Sequence, residues 1–234
     1  VAAVIVIFAI GLVIASLATN VPERKGVILQ CTFRSNFGLI GLALVSTMAG
    51  DSAVAVAAII SSFTIPVFNV LSVLALSMYV GSNTDWRKTC KDVVKKIVTN
   101  PLIIGIALGM VAMAIREAQI AVLGKVVYSI QRDTKFLYTT LNNIKAIASP
   151  FSLLVLGAEF EFSSVKGLLK EIAAGTVSRL VLAPVIGIGG VILLSNMGIL
   201  SCGSDVYPGL VALFGSPVAV SSAIMAGSMG NDKQ

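Results

Sequence analysis

Histidine is absent from this 234-residue sequence, charged residues make up only 12% of it, and tryptophan occurs once. The missing histidine removes the commonest general base and a common neutral metal ligand. Three cysteines, Cys31, Cys90 and Cys202, stand far apart with no CxxC spacing, so neither a zinc site nor a disulfide framework is expected and no cofactor is implied. A soluble domain carries roughly 25% charged residues. The shortage of charge therefore argues against a soluble enzyme. The formal net charge of +6 does not argue for a nucleic-acid partner either, because the basic residues sit in short segments between apolar blocks and form no single patch.

What the sequence has instead is hydrophobicity, in 56% of its residues and with a mean hydropathy of +0.96. The apolar residues come in blocks of about 17 to 25, the length at which a helix rising 1.5 Å per residue crosses roughly 30 Å of hydrocarbon. Seven spans are predicted, over Val1 to Thr19, Val27 to Gly50, Ser52 to Val80, Ile97 to Ile115, Phe136 to Phe160, Ala173 to Asn196 and Val206 to Gly230. Lipid offers no partner to backbone polar groups, so each span should be helical and the fold class is an all-α membrane protein. Val1 opens inside an apolar run with neither an initiator Met nor a basic flank, so Val1 to Leu17 is not read as a signal peptide. Both ends of the chain are expected to continue into further helices.

Alternation assigns the loops to two sides. Arg24, Lys25, Arg34, Arg87, Lys88, Lys91, Lys95, Lys96, Lys166, Lys170 and Lys233 fall on one, and Arg116, Lys125, Arg132 and Lys135 on the other. The first side is predicted to be cytoplasmic, which makes 81–96 a cytoplasmic basic loop and the protein a multi-pass component of the plasma or inner membrane. Segment 117–135 is too polar to span, yet Ile120, Val122, Leu123, Val126, Val127 and Ile130 recur at near-helical spacing. That pattern predicts an interfacial amphipathic helix on the outer face.

Proline lies well inside four spans, at Pro66, Pro150, Pro184 and Pro217, where it removes a helical hydrogen bond. The second span, CTFRSNFGLIGLALVSTMAGD, and the seventh, GLVALFGSPVAVSSAIMAGSMGND, both place Gly and small polar residues near the middle. Leu39 to Ala43 aligns with Leu213 to Pro217, and the two spans run in opposite directions, as an inverted-topology repeat requires. An interrupted helix exposes half-helix N-termini, each carrying roughly +0.5 of charge that suits a carboxylate. The ordinary role for Gly and Ser here is tight helix packing. Asn36 and Asn69 must find partners or line a wet cavity. Ser221 and Ser222 are expected to bond the carbonyl one turn back. Arg34 and Arg179 are expected to snorkel to the cytoplasmic surface, or else to draw anions into an inner vestibule. Lys145 lies so far inside the fifth span that the span is expected to start later.

These residues resemble the auxin efflux carrier family of bacteria and plants. FRSNFGLIGLAL is similar to the N-x4-G-x-P signature of that family's crossing helix, carried by Asn36, Gly41 and position 43. IPVFNVLSVLALS around Pro66 and Asn69, NPLIIGIALG, SPFSLLVLGAEF, RLVLAPVIG and FGSPVAVSSAIMAGSMG follow in the family's order. The resemblance implies two inverted five-helix repeats, with this chain matching the third to the ninth helix. It also implies transport-bundle helices over 1–80 and 173–230, scaffold helices over 97–160, and two broken helices that cross at the substrate. One departure is that the signature proline is Ala43 here, which keeps its N–H and allows a helix to continue.

The functional reading is a secondary transporter for a small organic carboxylate anion, not an enzyme, working by alternating access at the crossing helices. The residues expected to bind substrate are Asn36, Asn69, Gly41, Ser216 and Ser221, with Gly215 and Pro217 shaping the break. The implied partners are the anion and the lipid bilayer, with proton or sodium coupling and a homodimer left open and no nucleic acid. A sodium/proton-antiporter-like carrier is the nearest rival, but proton coupling normally needs an intramembrane Asp or Glu, and Asp51, Glu159, Glu161 and Asp205 lie at span ends. The spans alone are also compatible with a bile-acid-transporter-like carrier and with a non-transporting membrane sensor.

Overall fold

Backbone polar groups in lipid must pair within the chain, and among the described residues they do so in helices and one isolated bridge. The computed structural model describes residues 1–79, 91, 94, 95, 97–99, 101–158, 160 and 162–232. The basic loop expected over 81–96 lies almost wholly outside them, as do Cys90, Asn100, Glu159, Glu161 and Lys233.

Helix α1 runs Ala2–Ala18, and α2, Pro22–Phe33, opens on a proline that needs no helical partner there. After three non-helical residues a π-helical turn, Phe37–Gly41, leads into α3, Leu42–Met78. Two arms of α3 meet at Gly50, whose φ of 73° and ψ of −172° are open to glycine and strained for other residues. That turn is where the second expected span gives way to the third. Then come α4, Pro101–Leu123, α5, Ile130–Asp133, α6, Lys135–Ala158, and α7, Phe162–Val165. Helix α8, Leu169–Val177, continues through a second π turn, Ser178–Leu182, into α9, Ala183–Asn196. Pro184 has no N–H for Leu180, and the widened turn just before it, closed by Ala183 N–H to Ser178, absorbs the misfit. The chain ends with α10, Val206–Gly215, and α11, Ser221–Ser228.

Three helical stretches, Phe37–Met78, Ile103–Leu123 and Leu169–Asn196, are long and apolar enough to cross a membrane, and α1 and α10 are shorter apolar helices. Segment 117–135 departs from the single amphipathic helix expected. Residues to Leu123 prolong α4, Gly124 at φ 67° ends it, and 125–129 are non-helical. Gln119 replaces the helical bonding there, accepting the N–H groups of Val127 and Tyr128 on Oε1 and donating to the Tyr128 carbonyl. At the start of α5, the Arg132 guanidinium and the Ser129 N–H hold the Asp133 carboxyl below the usual carboxylate range. Helix α6 begins at Lys135, earlier than Lys145 had suggested, and Lys145 is exposed and, like Arg116, lines a cavity of about 530 Å³ between α4 and α6.

Lipid is as apolar as leucine, so closeness of contact holds membrane helices together. The core is built from α1, α2, α3, α8, α9 and α10. Phe8, Phe33 and Phe68 join the first three through ring contacts at 5.3 and 6.3 Å. Glycines allow the close approaches: a Cβ on Gly11 would lie 2.8 Å from Leu29, and one on Gly187 would overlap the Phe214 ring, which seats α9 on α10. A smaller cluster of Val73, Leu76, Met225 and Ala226 joins α3 to α11. Between 101 and 158 no described side chain is buried, so α4 and α6 stand outside this core.

Candidate functional site

A helix that stops inside a membrane leaves up to four carbonyls without helical partners, and two helices stop side by side here. In α2 the last bond runs from Arg34 N–H to Gln30 O at 3.0 Å, after which Arg34 is extended at φ −80° and ψ 109°. In α10 the last bond is Ser216 N–H to Ala212 O at 3.2 Å, and Ser216 is extended at φ −68° and ψ 149°. Pro217 has no N–H, so the Leu213 carbonyl loses its helical donor through sequence alone. The extended stretches lie antiparallel. Ser35 and Val218 form a bridge, and Asn36 N–H donates to the Pro217 carbonyl at 2.9 Å. The second and seventh spans thus meet at their breaks.

The break in the second span lies at 34–36, about two turns before Ala43. Ala43 is helical, as a residue that keeps its N–H allows, and Gly41 closes the π turn, where its bare Cα leaves room for the Phe37 ring. The short match of Leu39–Ala43 to Leu213–Pro217 is therefore not the register in which the breaks correspond, since the two helices end at Arg34 and Ser216.

Arg179 and Arg34 were both expected to snorkel, and both are buried at the crossing, with 2% and 4% of their surface exposed. The second π turn carries Arg179 across to both helix ends. Its Nε donates to Ser216 O at 2.8 Å, Nη2 to Leu213 O at 2.9 Å and Phe214 O at 3.1 Å, and Nη1 to Phe33 O at 3.2 Å. A guanidinium has five donors in one plane, and here it serves the carbonyls of Leu213, Phe214 and Ser216 at the end of α10 and that of Phe33 at the end of α2. The C-termini of two helices, each worth roughly −0.5, offset its charge. Proximity to these carbonyls holds Arg179 where sequence position alone sent it to the surface.

Arg34 has different surroundings. Its Nη2 donates to Asn69 Oδ1 at 3.1 Å and Ser221 Oγ at 3.0 Å, and Nη1 lies 3.0 Å from Met225 Sδ. Asn69 Nδ2 is spent on Ile65 O at 3.0 Å, which leaves its Oδ1 for the arginine. All three partners are neutral. The ion pairs among the described residues include neither Arg34 nor Arg179, and these two arginines are the only charged side chains among those buried. The helical arm that follows Asn36 and helix α11 both begin at the crossing, so two positive helix ends gather there as well. Negative ends are covered by Arg179, while positive ends and Arg34 are not covered by any acidic side chain described.

Of the residues expected to bind substrate, Asn36, Asn69 and Ser221 come together around Arg34 and the bridge. Asn36 is buried and its Nδ2 has no hydrogen-bond partner, as is true of the hydroxyls of Ser35 and Ser222. Ser221 accepts from Arg34 in place of bonding one turn back, and it is Ser216 whose hydroxyl takes that course, to Ala212 O. Ser216 contributes its carbonyl to Arg179, Pro217 its carbonyl to Asn36, and a Cβ on Gly215 would meet nothing within 4 Å. Gly41 lies a turn beyond, shaping the π turn. Sequence reasoning sent the two arginines to the cytoplasmic surface or an inner vestibule and not to the crossing, although a proline that strips a carbonyl of its donor and an arginine beside Ser-Asn-x-Gly were both visible.

A cavity of about 450 Å³ runs from this crossing along α2 and α8. Arg179, Pro217 and Val218 lie on its wall, Cys31 and Gly175 beside them, and Arg24, Glu171 and Asp232 also line it. Arg24 Nε bonds Asp232 Oδ2 at 2.8 Å and its Nη1 lies 3.6 Å from Glu171 Oε1, tying the starts of α2 and α8 to the residues after α11.

A chain with two broken, contacting helices and a buried cation beside them has the parts of a membrane carrier. Residues 1–234 match the family model described as membrane transport protein. No curated protein and no solved structure matches the chain. The chain belongs to the auxin efflux carrier family of membrane transport proteins.

Proposed function

We propose that this membrane transporter carries a small organic anion bearing a carboxylate, by alternating access, with the substrate bound where the two broken helices cross. The observation that carries the proposal is the placement of Arg34, buried at the crossing among neutral partners and two helix N-termini. An uncompensated buried cation costs several kcal/mol, and an anion that enters the site offsets that cost. Asn36 Nδ2 and the hydroxyls of Ser35 and Ser222 are polar groups with no protein partner that a carboxylate or its hydration can use. The cavity between α2 and α8 reaches Arg179, Pro217 and Val218 at the crossing, though not Arg34 itself, from the side that carries Arg24, which the charge pattern assigns to the cytoplasm. Packing divides the chain in a way that suits such motion, with a core of α1–α3 and α8–α10 as the moving body and α4 and α6 as the framework.

Among the described residues the buried charges are arginines and Asp51 and Asp205 are exposed, which favours an anion carrier over a proton antiporter of similar architecture. The test is uptake of labelled mono- and dicarboxylates by the purified protein in liposomes, with and without pH and sodium gradients. Uptake of a carboxylate, impaired by Asn36→Ala and Pro217→Ala, is the expected result. The proposal fails if no carboxylate is carried and neither substitution alters transport of whatever solute is found.

A further inference from the structure

Basic side chains on a membrane helix gather where the hydrocarbon ends. Nineteen residues lie between Lys96 and Arg116, and twenty between Lys145 and Lys166. At 1.5 Å per residue each stretch matches the roughly 30 Å of hydrocarbon that a helix crosses. Arg116 on α4 and Lys145 on α6 therefore stand at one boundary of the membrane, and the end of α4, residues 125–129 and the first turns of α6 extend beyond it. Both cations line the cavity of about 530 Å³ between the two helices.

The cavity is built by groups already committed to the fold. Gln119 holds the backbone of Val127 and Tyr128 through three hydrogen bonds, and Arg132 donates to the Val127 carbonyl. A wall pinned in this way needs little ordering when a ligand arrives. Lys145 is not committed, since no described group pairs with it. Arg116 meets Glu117, its neighbour in sequence, at 3.4 Å with both side chains more than half exposed, a pair that contributes little. No acidic residue lines the cavity, whereas Asn142, Tyr128 and Tyr138 add hydrogen-bond donors. Ala112 and Met113 line it on the hydrocarbon side of Arg116, and Leu108 on α4 and Phe151 on α6 expose apolar surface further in. A ligand that fits carries a negative group at the membrane boundary and an apolar part below it.

We propose that the cavity between α4 and α6 binds an anionic phospholipid, its phosphate held by Arg116 and Lys145 and its acyl chains lying along the two helices. The site is separate from the helix crossing and does not depend on what the protein carries. Each cation near a membrane surface favours an anionic lipid by about 5-fold, so the two together should favour it roughly 25-fold over a zwitterionic one.

The experiment is native mass spectrometry of the purified protein in mild detergent with equal amounts of phosphatidylglycerol and phosphatidylcholine of the same acyl chains. The wild type should retain phosphatidylglycerol with a preference of at least about 10-fold. Lys145→Gln should lower that preference about 5-fold, and Lys145→Arg should keep it. Lys125→Gln removes a charge from the same face outside the cavity and should change nothing. Millimolar glycerol 3-phosphate should not displace the lipid.

Equal retention of the two lipids overturns the proposal, and so does an equal loss in Lys125→Gln and Lys145→Gln, which would mean diffuse surface charge. Displacement by glycerol 3-phosphate would make this a site for free phosphate esters. A lipid-free dimer that Lys145→Gln splits would give the surface to a second copy of the chain. The comparison of lipids and the competition by glycerol 3-phosphate decide the matter in the wild type even if Lys145→Gln does not fold.

Discussion

Replacing Arg179 tests whether the crossing is held by one side chain. Arg179→Met keeps most of the length and apolar stem while removing four hydrogen bonds to the carbonyls of Phe33, Leu213, Phe214 and Ser216. Leu213 is the most exposed to this loss, because Pro217 cannot donate to it. Hydrogen bonds to charged groups contribute about 1.5–3 kcal/mol each in general, and polar contacts inside membranes average nearer 0.6 kcal/mol. Four that share one donor group do not add independently. The expected loss is about 3–5 kcal/mol, the size seen when one partner of a buried charged interaction is removed. For a chain of this length about 2–4 °C accompanies each kcal/mol, so Tm measured in detergent or nanodiscs should fall by roughly 6–20 °C. Arg179→Lys should fall about half as far, since three donors on a tetrahedral ammonium cannot reach carbonyls set out for a planar fork. A Tm for Arg179→Met within about 2 °C of the wild type would refute the role given to this residue.

Arg34 should behave in the opposite way: its charge has no acidic partner among the described residues, so Arg34→Gln should leave Tm unchanged or raise it, as measured in the same assay without ligand. A marked fall would mean that Arg34, too, is structural. Gly187→Ala should destabilise by about 1–3 kcal/mol, because its Cβ meets the Phe214 ring in the contact that seats α9 on α10. The cost should lessen when Phe214→Leu is added, and a thermal-shift double-mutant cycle without coupling would contradict that packing. Cys31 lines the cavity between α2 and α8. With Cys90 and Cys202 replaced by serine, a membrane-impermeant maleimide should label it in inside-out vesicles and not in right-side-out ones. Labelling from the opposite face would reverse the orientation assigned from the basic residues.

The membrane class and most helix limits were legible in the sequence because they depend on a length requirement and on the cost of unpaired backbone in lipid. Gly50 and Asp51 mark the turn between the second and third spans in sequence and structure alike. The broken seventh span was legible through Pro217, whose missing N–H acts locally. The site of the second break was not. No proline marks it, Ala43 where the family signature has one is helical, and the non-helical stretch at 34–36 is stabilised by pairing with residues over 180 positions away, as in the Ser35 to Val218 bridge. The arginines were misplaced for a related reason. A long cationic side chain near a predicted span end is ordinarily free to reach water, and only the carbonyls at the ends of two other helices turn Arg179 inward. Segment 117–135 failed on a single residue, since the apolar spacing continues through Gly124 while the backbone does not.

The central claim is that the contact between the two broken helices is where transport takes place, and a cross-link across it tests that most directly. In an antiparallel bridge the facing Cβ atoms lie about 4.5–5.5 Å apart, within small adjustment of disulfide geometry. Ser35→Cys combined with Val218→Cys, with the three natural cysteines replaced by serine, should cross-link under mild oxidation. Carboxylate uptake in liposomes should fall as the disulfide forms and return on reduction. A pair that resists cross-linking, or a fully cross-linked protein that transports at the reduced protein's rate, would contradict the account.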